Sequence, residues 1–122
     1  MALEMIGQEN SQVTKKPKLP PNLKAYYKGN FAEGYRSGNG TEITRGSVYI
    51  GEWLEGQKHG NGKIKYSSGA YYNGEWKSGF LSGEGFYIDE GNNRYTGNFE
   101  NGLFNGTGTM EYSNGDKYEG EW

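Results

Sequence analysis

The chain has 122 residues, a formal net charge of −2, 32% hydrophobic and 16% aromatic residues, 22 glycines and no cysteine. That length is the size of one domain, the missing cysteines remove a disulfide framework and a cysteine-held zinc, and the apolar content is too low for a thick two-layer core. No run approaches the ~20 apolar residues of a membrane-spanning helix, and the first residues lack the apolar stretch of a signal peptide.

In chain order the first element is a tail, residues 1–25. It carries Lys15, Lys16, Lys18 and Lys24 against Glu4 and Glu9, a net +2, which leaves −4 on the remainder. Lys16-Pro17-Lys18-Leu19-Pro20-Pro21 has polyproline II character, so the tail is expected to be extended or disordered. Lys15, Lys16 and Lys18 form the one basic cluster. A solvated linker is its default reading, and contact with anionic lipid, at about 1 kcal/mol per basic residue, is the other. The acidic body is a poor match for nucleic acid or an anionic membrane.

From Tyr27 a grid begins: Tyr27, Gly29, Phe31, Gly34, Gly38, Gly40. It returns at Tyr49, Gly51, Trp53, Gly56, Gly60, Gly62, then at Tyr72, Gly74, Trp76, Gly79, Gly83, Gly85, and at Tyr95, Gly97, Phe99, Gly102, Gly106, Gly108. A fifth copy opens at Tyr118, Gly120, Trp122. The tyrosines are spaced by 22, 23, 23 and 23 residues. Such a period means stacked units that cannot bury a face alone. The units are 27–48, 49–71, 72–94, 95–117 and the partial 118–122.

Each unit reads as two strands. Strand side chains alternate, so Tyr72, Gly74 and Trp76 share one face and Asn73 and Glu75 the other. In the second strand Gly60, Gly62, Ile64 and Tyr66 share a face. Rings of one strand can then lie over the bare Gly-x-Gly backbone of the next and restore the packing that glycine forfeits. Glu55-Gly56, Ser78-Gly79 and Asn101-Gly102 supply the turn inside a unit, and Ser113-Asn114-Gly115-Asp116 a turn between units. Asn92 stands where a turn glycine is expected and tolerates the left-handed region. The glycine density leaves no room for helix. The prediction is an all-β fold, an elongated single-layer twisted antiparallel meander of β-hairpin repeats over 26–122, with about nine strands at ~4.8 Å spacing.

This pattern, Tyr-x-Gly-x-(Trp/Phe)-x-x-Gly-x-x-x-Gly-x-Gly, resembles the membrane occupation and recognition nexus (MORN) repeat over residues 27–122. The resemblance implies a non-catalytic scaffold of ciliary, axonemal or cytoskeletal assemblies or membrane contact sites, with homodimers. With no spanning run or signal stretch, the expected location is cytoplasmic, associated with the cytoskeleton or a cilium. The second function reading is an adaptor for anionic phospholipid, which the −4 of the repeats opposes.

No residue set points to catalysis or a cofactor. Gly56-Gln57-Lys58-His59-Gly60-Asn61-Gly62-Lys63 fails the phosphate-loop spacing, because Ile64 follows the lysine where Ser or Thr is required. His59 is expected in a solvated loop. Glu52, Glu75, Glu119 and Glu121 recur because the outer face repeats, and a solvated face is the reading preferred over an acid/base pair.

The candidate partner-binding residues are the aromatic row: Tyr27, Phe31, Tyr49, Trp53, Tyr72, Trp76, Tyr95 and Phe99. Rings packed on glycine build the fold, yet one layer cannot cover both its faces, and exposed apolar surface marks interaction sites. A partner peptide or helix is expected on the sheet, centred on Trp53–Trp76. Tyr118 and Trp122 lie on a last strand with no Gly-x-Gly strand after it. Either the sequence continues in a longer protein, or this open edge meets a partner or a second copy.

Overall fold

The computed structural model describes residue 19 and residues 24–122. Lys15, Lys16 and Lys18 lie outside the described residues, as does the expected tail apart from Leu19, Lys24 and Ala25. Among the described residues nine strands run in chain order: β1 Ala25–Ala32, β2 Tyr35–Thr44, β3 Ser47–Leu54, β4 Gln57–Tyr66, β5 Tyr71–Lys77, β6 Phe80–Ile88, β7 Arg94–Glu100, β8 Leu103–Glu111 and β9 Lys117–Glu121. They form one open sheet in which each strand pairs only with its sequence neighbours, and every pairing is antiparallel. Eight spacings at ~4.8 Å make the sheet ~38 Å across its strands.

The hairpins inside each repeat turn on a pair of left-handed residues. Glu55 and Gly56 have φ of 51° and 83°, and Ser78 and Gly79 have 51° and 86°. Two positive φ values match the right-handed twist of the flanking strands. Asn92 takes φ 66° between β6 and β7, as its place in the grid predicts.

Registers align the grid across the sheet. Gly29, Gly40, Gly51, Gly62, Gly74, Gly85, Gly97, Gly108 and Gly120 pair consecutively into one unbroken glycine row. Beside it runs a second row on the same face, where Glu42 pairs with Tyr49, Tyr49 with Ile64, Ile64 with Tyr72 and Tyr72 with Tyr87. The buried core is this face, with Tyr49, Tyr72 and Tyr95 fully inaccessible.

Within each repeat the register slips next to the glycine row, as at Gly51/Trp53 and Gly74/Glu75. The first glycine of each Gly-x-Gly sits in this bulge, and Gly60 adopts φ 68° there. Bulges leave residues outside the ladder, and the chain satisfies them with side chains. The Glu52 carboxylate accepts the Asn61 N–H at 3.1 Å, and Glu75 accepts that of Glu84 at 3.1 Å. Glu52 and Glu75 therefore hold the bulge together, which is more than the solvated face expected of them. His59 is also placed differently from expectation: it lies inside β4, half-buried, because the strand starts at Gln57.

Candidate functional site: the ring face

The tyrosine that opens each repeat lies over two glycines. A Cβ at Gly62 would collide with the hydroxyl and ring of Tyr49, and one at Gly85 with Tyr72. Each tyrosine hydroxyl then donates to the carbonyl three residues on: Tyr27 to Asn30, Tyr49 to Glu52, Tyr72 to Glu75 and Tyr95 to Asn98, all at 2.8 Å. Those carbonyls belong to the bulge region, so a buried hydroxyl and a backbone acceptor satisfy each other. Burial, reinforced by the nearby Glu75 charge, pushes the Tyr72 hydroxyl up to about 12. Burial, again with Glu52 beside it, pushes Tyr49 up as well.

From the second repeat onward the second aromatic stands edge-on to two tyrosines, and in the first repeat Phe31 meets Tyr27. Trp53 meets Tyr27 at 5.3 Å and Tyr49 at 5.2 Å, and Trp76 meets Tyr49 at 5.2 Å and Tyr72 at 5.4 Å. The chain of edge contacts runs unbroken from Phe31 through Tyr27, Trp53, Tyr49, Trp76, Tyr72, Phe99, Tyr95 and Trp122 to Tyr118. Such pairs contribute about 0.5–1.5 kcal/mol each beyond area burial. The indole N–H of Trp53 donates to Gly40 O and that of Trp76 to Gly62 O, both at 3.1 Å.

The eight residues of the aromatic row, with Tyr118 and Trp122 of the edge, are thus brought together, but they do not present the same surface. Tyr49, Tyr72 and Tyr95 are 0% exposed and Trp53, Trp76 and Phe99 4%, whereas Phe31 is 62%, Tyr118 45% and Trp122 39% exposed. The middle of the row is a floor. Above it stand residues nine positions after each opening tyrosine: Arg36, Lys58, Leu81 and Phe104. Sequence reasoning passed over this position, since it starts the second strand only at the Gly-x-Gly. Alternation back from Gly60 to Lys58 is the signal that finds it.

That position divides the face in two. Toward β1 it carries cations. Arg36 lies 4.7 Å from the Tyr27 ring centroid and 5.0 Å from that of Trp53, and Lys58 5.3 Å from Tyr49 and 5.2 Å from Trp53. Glu42 holds both, at 2.6 Å from Arg36 Nη1 and 3.1 Å from Lys58 Nζ. Burial alone would raise the Glu42 carboxyl, but the two cations outweigh it and hold it below the usual range. This half is covered by its own ion cluster.

Toward β8 the cations are replaced by Leu81 and Phe104, and Glu42 by Tyr87 and Met110. Here the face opens into a cleft of about 320 Å³, lined by Tyr66, Leu81, Tyr87, Phe99, Gly102, Leu103 and Phe104. Leu103 at its rim is 71% exposed. Phe104 stacks on Tyr95 at 4.1 Å and meets Tyr87 at 6.2 Å. Burial raises the Tyr87 hydroxyl, and the charges of Glu90 and Asp89 raise it further.

Among the described residues no group of three or more His, Asp or Glu is placed to hold a metal ion. One ordered sheet of repeated hairpins, ring face over glycine row, defines an all-β repeat protein. The MORN repeat family model matches residues 27–45, 49–71, 72–94 and 95–117, and the chain belongs to that family. No curated protein matches it significantly. MORN repeats mediate interactions with proteins or membrane lipids.

Proposed function

We propose that the chain is a non-catalytic scaffold that docks a peptide or helix of another protein in the cleft between Tyr66 and Phe104. The observation that carries this reading is the division of the ring face. One half is closed by the Arg36–Glu42–Lys58 cluster, and the other opens into a cleft of about 320 Å³ lined by aromatic and aliphatic side chains. A pocket of that size with few polar groups suits an apolar anchor side chain.

The family resemblance supports placing this scaffold in a cytoplasmic ciliary, axonemal or cytoskeletal assembly. The test is affinity capture from ciliated-cell extract with the wild-type chain and with Leu103→Asp. Leu103 is exposed, so the variant keeps its fold by circular dichroism. Loss of the captured protein supports the reading, and undiminished capture by the folded variant overturns it.

A further inference from the structure

Asn-Gly pairs occur at residues 39–40, 61–62, 73–74, 101–102, 105–106 and 114–115. Glycine has no side chain to shield its nitrogen, so in such a pair that nitrogen can attack the asparagine amide carbon. The fold treats the pairs differently. Gly40, Gly62 and Gly74 are paired with glycines of both neighbouring strands and lie under Tyr27, Tyr49 and Tyr72. The Gly102 N–H donates to Leu81 O of the preceding hairpin at 3.0 Å. Asn105 commits its Nδ2 to Glu100 Oε1 at 3.0 Å.

At Asn114 the surroundings favour the attack. Asn114, Gly115 and Asp116 are all exposed, and a Cβ at Gly115 would meet nothing within 4 Å. The Asp116 N–H donates to Asn114 Oδ1 at 2.9 Å, and Asn114 Nδ2 donates to Asp116 Oδ2 at 3.2 Å. An N–H at that oxygen stands where negative charge develops when the carbonyl is attacked, the arrangement of an oxyanion hole. Among the described residues no other Asn-Gly asparagine accepts a backbone N–H at its Oδ1. The Gly115 N–H donates to Tyr112 O at 2.9 Å within the same turn, and an exposed turn bond opens locally at little cost.

We infer that Asn114, Gly115 and Asp116 form a self-modifying site that converts Asn114 to an acid without an enzyme. The Gly115 nitrogen bonds to Asn114 Cγ and gives up its proton. The Cγ–Nδ2 bond breaks, ammonia leaves with that proton, and a succinimide ring closes. Water then opens the ring at either carbonyl and leaves aspartate or its backbone-shifted isomer, isoaspartate. The balance is a water consumed and an ammonia released, with no change of oxidation state. The product alters the β8–β9 hairpin. An acid at 114 has no N–H for Asp116 Oδ2 and sets two like charges in one turn, while isoaspartate lengthens the backbone there. Just beyond β9 the Trp122 ring stands 5.3 Å from Phe104 and 5.5 Å from Tyr95, so loosening this hairpin reaches the ring face.

The full chain is incubated in mildly alkaline buffer made with heavy-oxygen water, folded and in urea, and mapped by tandem mass spectrometry that separates aspartate from isoaspartate. In the folded chain acid should form at 114 about tenfold or more faster than in any other Asn-Gly pair. The product should carry a heavy oxygen and include isoaspartate, and in urea the pairs should converge. Amides of β9 should exchange about threefold or more faster in Asn114→Asp, the loss of an ordinary hydrogen bond. If that variant fails to fold by near-ultraviolet circular dichroism, the aged wild-type fraction separated by ion exchange is read the same way. A lead at another pair, a lead at 114 that persists undiminished in urea, absence of isoaspartate, or unchanged β9 exchange overturns the inference.

Discussion

The ring of Tyr49 occupies the space that a side chain at Gly62 would fill, one strand away. The two positions are therefore one unit: the ring requires the bare backbone, and the bare backbone is covered by the ring.

Gly62→Ala should cost about 3 kcal/mol, the upper range for overpacking a fitted site, and lower Tm by roughly 12 °C or more for a domain of this size. Gly46 supplies the control. A Cβ there meets nothing within 4 Å, and its φ is not in the positive range, so Gly46→Ala should stay within about 0.5 kcal/mol of wild type. Thermal melts of both variants check the contrast.

Trp76→Ala removes a ring that touches Tyr49 and Tyr72, and leaves Gly62 O without its indole donor. The expected loss is about 3–5 kcal/mol. Trp76→Phe keeps a ring and loses the hydrogen bond, so about 1 kcal/mol is expected. Phenylalanine already fills the equivalent place at Phe31 and Phe99. Urea denaturation distinguishes the two, and a Trp76→Ala chain that is fully stable would count against the floor role of the row.

The Tyr72 hydroxyl has an ordinary value of 10.0 and is raised to about 12 in the fold. A raised value means that its contribution is complete below pH 10 and is lost as pH rises toward about 12. The denaturation midpoint should therefore fall over that window, together with a rise in tyrosinate absorbance. Tyr72→Phe should weaken this pH dependence and cost about 1 kcal/mol at neutral pH, for the lost bond to Glu75 O.

Glu42 behaves in the opposite sense. Its carboxyl is held below its ordinary value of 4.5, so its contribution is complete above pH 4.5 and is lost as pH falls below it. Glu42→Gln should cost about 1–2 kcal/mol at neutral pH and flatten the acid limb of the stability profile. Urea midpoints measured from neutral pH downward check both.

The strands, the hairpin turns and the ring-over-glycine packing were legible because a strict period repeats them. Tyr72-x-Gly74-x-Trp76 fixes a face by alternation alone, and Asn92 shows its backbone role by standing in a glycine's place. The bulge was not legible. It depends on how Glu52 and Glu75 reach across to backbone N–H groups of the next strand, which no spacing within one strand reveals. The cleft was missed for a related reason. Its lining comes from positions that differ between repeats, Lys58 against Phe104 and Ile64 against Tyr87, and a reading built on what repeats overlooks what varies. His59 was assigned to a loop because the second strand begins before its glycines.

The central claim, a protein partner in the β6–β8 cleft, is tested most directly by site-specific photo-cross-linking. A benzophenone amino acid is placed at Leu103, and at Gln57, the equivalent position of the second repeat. Illumination in ciliated-cell extract followed by mass spectrometry should give one dominant protein adduct from position 103 and none from position 57. Equal adducts from both positions, or lipid adducts alone, would contradict the account.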